Sequence, residues 1–177
     1  MIITLEMQIL IGLHILFAAV FVGSNVFLDF LLTPRLDVIP PGQAARLGDK
    51  VGVDFAILNW ITLGGLPLTG LLLLWRLSAI GQLITWAFYG SGYGIALLSM
   101  IIIWLSLVVS AAILTFYLRP RVLVKLAYDT SRQQVETARQ DAMLYATWMQ
   151  RFARFNVIVS MLAVLIGGLL LFGGFPF

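Results

Sequence analysis

The sequence predicts an all-α polytopic membrane protein, one domain built as a bundle of four transmembrane helices. Three observations carry this. Charged residues make up 11% of the 177 and hydrophobic residues 61%, against about 25% and about 45–50% in soluble domains. No Asp, Glu, Lys or Arg occurs in residues 7–28, 55–75, 77–118 or 155–177, and about 20 apolar helical residues cross ~30 Å of hydrocarbon. The basic residues between those runs are distributed one-sidedly, which sets the number of spans.

The first helix is expected over about residues 5–33. It lacks a basic leading region and a small-residue cleavage site and is too long for a signal-peptide core, so it is expected to stay in the mature chain. Pro34 then interrupts it, and a connection over 34–53 contains Pro40-Pro41 and a short helical stretch from about Gln43 to Val53. The second helix covers about 54–76. The run 77–118 is long enough for two spans, but its first part, Ser78 to Tyr89, is short, carries Gln82 and ends in Gly90-Ser91-Gly92-Tyr93-Gly94. That part reads as an interfacial segment and a turn, leaving the third helix at about 95–118. The fourth covers about 153–174. Before it, Val135, Ala138, Ala142, Tyr145, Met149, Phe152 and Asn156 recur at alternating spacings of three and four, a heptad seam running into the fourth helix. The seam is either a docking surface or a solvated amphipathic face.

With four spans, ten of the eleven Lys and Arg residues fall on one side: Arg35, Arg46 and Lys50 in connection 34–53, and seven in connection 119–152 and the first turn of the last span. Only Arg76 lies opposite. Basic loops stay in the cytoplasm, so both termini are expected outside, the two connections inside, in a bacterial plasma membrane. The net charge of +3 is accounted for by topology; the expected partners are the lipid bilayer and further copies or other membrane subunits, with no nucleic acid.

The chain also repeats itself. Phe30-Leu31-Leu32-Thr33-Pro34-Arg35 matches Phe116-Tyr117-Leu118-Arg119-Pro120-Arg121 at an offset of 86, and Phe55-Ala56-Ile57-Leu58-Asn59 matches Phe152-Ala153-Arg154-Phe155-Asn156 at an offset of 97, as does Gly70 with Gly167. Two tandem helix hairpins would be parallel repeats about an axis along the membrane normal.

Chemistry has few candidates. The absence of cysteine excludes disulfides, Fe–S clusters and thiolate metal sites supplied by this chain. No serine–histidine–carboxylate set or two-carboxylate site is visible, so hydrolase mechanisms are not expected. His14 is the single histidine and lies inside the first span, with Phe21, Asn25 and Asp29 on its helical face. Ionisable residues at membrane depth point into the bundle. His14 therefore reads as an axial haem ligand, a copper ligand or a proton-relay group, or as a neutral histidine bonded to Ser99, Ser106 or Ser110 of the third helix. One histidine excludes a bis-histidine haem within one chain. Met7, one seven-residue step away, is the nearest thioether that could join it, while the other methionines read as packing. Polar stripes comprise Ser99, Ser106 and Ser110 on the third helix and Asn156 and Ser160 on the fourth, with Asn59 opening the second. Such residues serve as hydrogen-bonding glue in membranes or line a polar cavity. Trp75, Trp86, Tyr89, Tyr93, Phe172, Phe175 and Phe177 fit an outer aromatic belt, and Asp29 and Arg35 are placed to pair at the inner end of the first helix.

Leu13-His14 followed by Val22-Gly23 and Pro34-Arg35-Leu36 resembles the first helix of CopD-type copper-resistance membrane proteins, and HemJ-type protoporphyrinogen oxidases have a related opening. Leu68-Thr69-Gly70-Leu71-Leu72-Leu73 resembles the Thr-Gly that ends the next helix in that group. The resemblance covers roughly residues 10–75. It implies a four-helix unit associated with copper or haem b, with His14 as the matched ligand.

Overall fold

The computed structural model describes residues 4–122 and 132–171. Helix α1 (Leu5–Val26) continues through a π-helical stretch, Phe27–Leu32, and a 3-10 stretch, Thr33–Val38. Helix α2 (Pro41–Arg76) follows, then two 3-10 turns, Ile80–Ile84 and Trp86–Gly90. Helix α3 (Gly92–Ala112) runs through a second π-helical stretch, Ile113–Leu118, into an α-turn, Arg119–Val122, and α4 (Arg132–Leu171) is the last described helix. Four helices are long and apolar enough to cross a membrane: 5–36, 46–76, 92–122 and 136–170. At 1.5 Å per residue, 31 residues span about 46 Å, more than the ~30 Å of hydrocarbon, so the helices reach well into both headgroup layers.

The helical stretches expected ahead of the second and fourth spans both form, and each is continuous with its span. The stretch before the second span is not a separate helix: α2 starts at Pro41, because Pro at the first helical position needs no amide partner. The fourth helix starts at Arg132 rather than near 153, since the heptad seam carries one continuous helix from the connection into the span. Seam residues Ala138, Ala142, Tyr145, Met149 and Phe152 are half-buried, while Met143, Leu144 and Trp148 between them are exposed; the side chain of Val135 lies outside the described residues. Phe172, Phe175 and Phe177 of the expected aromatic belt also lie outside them, whereas Trp75 and Trp86 project from the surface.

The helices form an up-down-up-down ring in which α1 packs on α2, α2 on α3, α3 on α4 and α4 on α1. The burial pattern is the reverse of a soluble bundle's. Asn25, Asn59, Thr62, Thr69, Ser110, Asn156 and Ser160 are buried, while Ile15, Leu16, Ile57, Leu68, Ile102, Ile158 and Leu165 face outward. A lipid solvent produces this arrangement: apolar side chains lose nothing by facing acyl chains, whereas polar ones must find partners inside. The apolar centre is Phe21, Leu63, Leu107 and Ala111, with Trp60, Ile103, Trp104, Val108 and Val159 against it.

Pro67 lies inside α2 and lacks the N–H that would bond Leu63 O. Trp104 of α3 supplies the missing donor, its indole Nε1 donating to Leu63 O at 2.9 Å. A helix-breaking residue thus becomes an interhelical tie. At the basic end, Arg119 donates to the backbone O and the carboxylate of Asp49 at 2.9 and 3.1 Å, docking the end of the third span on α2 beside Gly52. At the opposite end Arg76 pairs with Glu6 at 2.7 Å.

The connection between the hairpins is built from local rules. Helix α2 ends in a Schellman motif: Ser78 adopts φ 55°, with Ser78 N–H donating to Trp75 O and Ala79 N–H to Leu74 O, both at 2.9 Å. Ser91 caps α3 by accepting from Gly94 N–H at 3.1 Å. Glycine is required at position 94, because a Cβ there would collide with Phe88 O. The glycine-rich segment is therefore a helix start pressed onto a turn.

Several local features of the first hairpin recur in the second at the offsets of the sequence match. The π-helical stretches 27–32 and 113–118 are separated by the same 86 positions as the sequence match. In each, the amide at the end of the stretch bonds five residues back, Thr33 N–H to Leu28 O and Arg119 N–H to Leu114 O. Each is followed two positions on by a proline, which has no N–H to offer the carbonyl four residues back. The arginine after each proline donates to the carbonyl four residues back, Arg35 to Leu31 O at 2.9 Å and Arg121 to Tyr117 O at 2.7 Å. A Cβ on Gly70 would lie 3.6 Å from His14, and one on Gly167 would lie 3.6 Å from Met100; His14 and Met100 are themselves 86 apart.

Candidate functional site

His14 sits on α1, half-buried, against the α2 segment Gly65–Gly70. Its Nδ1 lies 2.7 Å from Thr69 Oγ1. Thr69 has one hydroxyl proton and donates it to its own helix, at 2.7 Å to Gly65 O with Leu66 O at 3.1 Å. With that proton on its own helix, Thr69 Oγ1 can accept from His14 Nδ1; the tautomer with Nδ1 as donor leaves Nε2 with a free lone pair. The expected serine partners are corrected. Ser99 and Ser106 donate to Ile95 O and Ile103 O of their own helix, because a serine hydroxyl one turn above a carbonyl bonds locally. Histidine meets the helix next to it in the ring, and that helix is α2. Met7 is buried in the next two turns of α1 toward its start.

Below His14 the same α1–α2 seam carries an amide pair. Asn25 Nδ2 donates to Phe21 O at 2.8 Å and to Asn59 Oδ1 at 3.3 Å. Asp29 closes the column; its side chain is only 7% exposed and faces Arg154 Nε of α4 at 4.0 Å. The expected Asp29–Arg35 pair does not form, since Arg35 is drawn to Leu31 O.

In the second hairpin the equivalent positions are Met100 for His14, Ala111 for Asn25 and Asn156 for Asn59. Asn156 is fully buried, and among the described residues neither its Oδ1 nor its Nδ2 has a partner. Ser110 Oγ is likewise buried without a partner, although Ser24, Thr62, Thr69, Ser99, Ser106 and Ser160 all donate to a nearby carbonyl of their own helix. The serine stripe thus does not act as one unit: Ser99, Ser106 and Ser160 are satisfied locally, and Ser110 is not.

Sequence reasoning passed over Thr69 as a partner, Met100 as the counterpart of His14, and Trp104. Extending the 86-residue offset from Pro34/Pro120 back to His14 identifies Met100; nothing local identifies Trp104. Among the described residues no group of three or more His, Asp or Glu is placed to hold a metal ion. Comparison with protein families, characterised proteins and solved structures returns no match.

Proposed function

We propose that this is a CopD-like integral membrane protein that binds haem b through His14 Nε2, with copper as the second candidate. The observation that carries the reading is the 2.7 Å contact of His14 Nδ1 with Thr69 Oγ1, which, with Nδ1 as donor, frees Nε2 to ligate. Ligating histidines characteristically donate their other ring N–H in this way, which fixes tautomer and ring orientation. The two segments on which the family resemblance rests, Leu13-His14 and Thr69-Gly70, also meet here. The donor set suits haem better than copper, because haem needs one protein nitrogen whereas copper needs several ligands. Met7, or a second copy of the chain, would supply a sixth ligand. Bound haem supplies one-electron chemistry; the chain itself orients the imidazole and surrounds it with lipid-facing apolar residues.

A second reading, a non-catalytic accessory subunit, is favoured by the local satisfaction of most polar side chains, which is what packing alone requires. An absorption spectrum with metal analysis separates the two. A Soret band that His14→Ala abolishes while the helical spectrum persists supports haem. Thr69→Val should keep less haem than Thr69→Ser, because only serine retains the acceptor. A colourless, metal-free protein, unchanged after incubation with haem and with copper, refutes cofactor binding and leaves the accessory subunit.

The same reading places both termini outside a bacterial plasma membrane and the basic connections in the cytoplasm, and it takes the α4 seam as a contact with further copies or other membrane subunits. Tags at either terminus should be labelled from outside, and a tag at Gln133 only after the membrane is opened. The reverse pattern refutes the orientation.

A further inference from the structure

The basic end of the second hairpin holds a cation whose surroundings have no counterpart in the first. Arg119 is paired there with Asp49, and Arg154 faces Asp29. Arg121 is half-buried and, among the described residues, has no carboxylate partner. One of its N–H groups donates to Tyr117 O at 2.7 Å. Its guanidinium carbon lies 3.6 Å from the centre of the Tyr117 ring and 5.8 Å from that of Tyr145 on α4. A guanidinium held over a ring keeps its remaining N–H donors for an acceptor beside the ring. In the first hairpin Arg35 makes the same backbone bond, to Leu31 O at 2.9 Å, but the positions equivalent to Tyr117 and Tyr145 are Leu31 and Gly48. The two phenols are therefore specific to the second hairpin. Tyr117 is itself 51% exposed, so the cluster opens at the bundle surface.

Depth identifies the missing counter-ion. The third span is one continuous helix over Gly92–Val122, which puts Arg121 about 43 Å from its start at 1.5 Å per residue. A bilayer with both headgroup layers measures about 40–45 Å. With the exposed Trp86 and the start of α3 at one interface, Arg121 stands in the headgroup layer opposite. We propose that Arg121, Tyr117 and Tyr145 form a binding site for the phosphate of an anionic phospholipid headgroup. The guanidinium supplies the charge and a fork of donors that matches phosphate oxygens, and the phenols donate to the oxygens that remain. Basic pockets between transmembrane helices are where such headgroups bind. A zwitterionic lipid brings its own ammonium group, which the guanidinium repels. A soluble phosphate has no acyl chains to hold it at this depth.

The test titrates the full-length protein in neutral detergent with phosphatidylglycerol, using phosphatidylcholine of the same acyl chains as the zwitterionic control, and counts bound lipid by native mass spectrometry. Phosphatidylglycerol should bind about fivefold tighter, the factor that one basic residue is worth near an anionic surface. Arg121→Gln should abolish that preference, whereas Arg121→Lys should keep part of it, because the charge stays while the fork is lost. Tyr117→Leu, which copies the first hairpin, and Tyr145→Phe should each weaken phosphatidylglycerol binding about two- to threefold, the worth of one hydrogen bond in a membrane protein. Arg35→Gln should change nothing. Helicity and elution volume are followed for each variant; if Arg121→Gln fails to fold, Arg121→Lys and Tyr145→Phe decide the question. Equal binding of the two lipids, or a preference that survives loss of the Arg121 charge, overturns the proposal. Equal losses in Arg35→Gln and Arg121→Gln would reveal a diffuse positive field instead of a site, and displacement of the lipid by glycerol 3-phosphate would assign the cluster to a soluble phosphate; either result overturns the headgroup site.

Discussion

Trp104→Phe tests the tie between Pro67 and α3. The substitution keeps an aromatic ring in contact with the core but deletes the N–H that reaches Leu63 O at 2.9 Å. The carbonyl is then without a partner, because Pro67 has no amide to offer. Interhelical hydrogen bonds in membranes average ~0.6 kcal/mol and reach ~1.7, and the smaller ring adds up to about 1 kcal/mol of lost packing. The expected destabilisation is therefore about 1.5–2.5 kcal/mol. A double-mutant cycle isolates the hydrogen bond. In Pro67→Ala the restored amide bonds Leu63 O within α2, so Trp104→Phe in that background should lose only the packing part. The coupling should be about 1 kcal/mol, read from SDS-titrated unfolding in mixed micelles by far-UV circular dichroism. Independent sites add to within about 0.3–0.5 kcal/mol; coupling below about 0.3 kcal/mol would show that the indole does not serve the carbonyl.

Adjacent glycines of α2 should behave oppositely. A Cβ at Gly65 would stand 2.6 Å from the Phe17 ring, whereas one at Gly64 meets nothing within 4 Å. Gly65→Ala should lower stability by about 1–3 kcal/mol through overpacking, and Gly64→Ala should raise it by up to about 1 kcal/mol through helix propensity; equal shifts in the same unfolding assay would refute the α1–α2 packing. In the seam, replacing Tyr145 and Met149 together with glutamate puts two charges on the half-buried face and removes the ring that Arg121 approaches at 5.8 Å. The pair should lower the melting temperature or shift the elution volume in detergent, and an unchanged profile would make the seam a solvated face.

The Asn59/Asn156 match shows how far the sequence reaches. The repeat of Phe-Ala-x-x-Asn identifies two equivalent positions, and membrane burial of an amide implies that each points inward. Asn59 finds its partner in Asn25, 34 positions away, whereas the position 86 beyond Asn25 is Ala111, which has no side-chain donor or acceptor. The same gap explains His14. Its depth and inward direction follow from the span, but its bond to Thr69 rather than to Ser99, Ser106 or Ser110 depends on which helix lies beside α1.

What the sequence determined alone is the solvent and the number of spans: 11% charge and four uncharged runs of membrane length leave a lipid-embedded four-helix bundle. It also located the interruptions, since Pro34 and Pro120 each stand two positions after a π-helical stretch. Those properties depend on transfer free energy and on backbone chemistry, both local to each segment. The tertiary structure decided the pairings: Trp104 with the carbonyl that Pro67 frees, Arg154 rather than Arg35 with Asp29, and no partner among the described residues for Asn156 and Ser110. In lipid no hydrophobic force selects which helix faces meet. Rotation and register are set instead by close packing over residues such as Gly65 and Gly70 and by the π-helical stretches that re-aim each helix end, and these act between segments whose sequences carry no mark of one another.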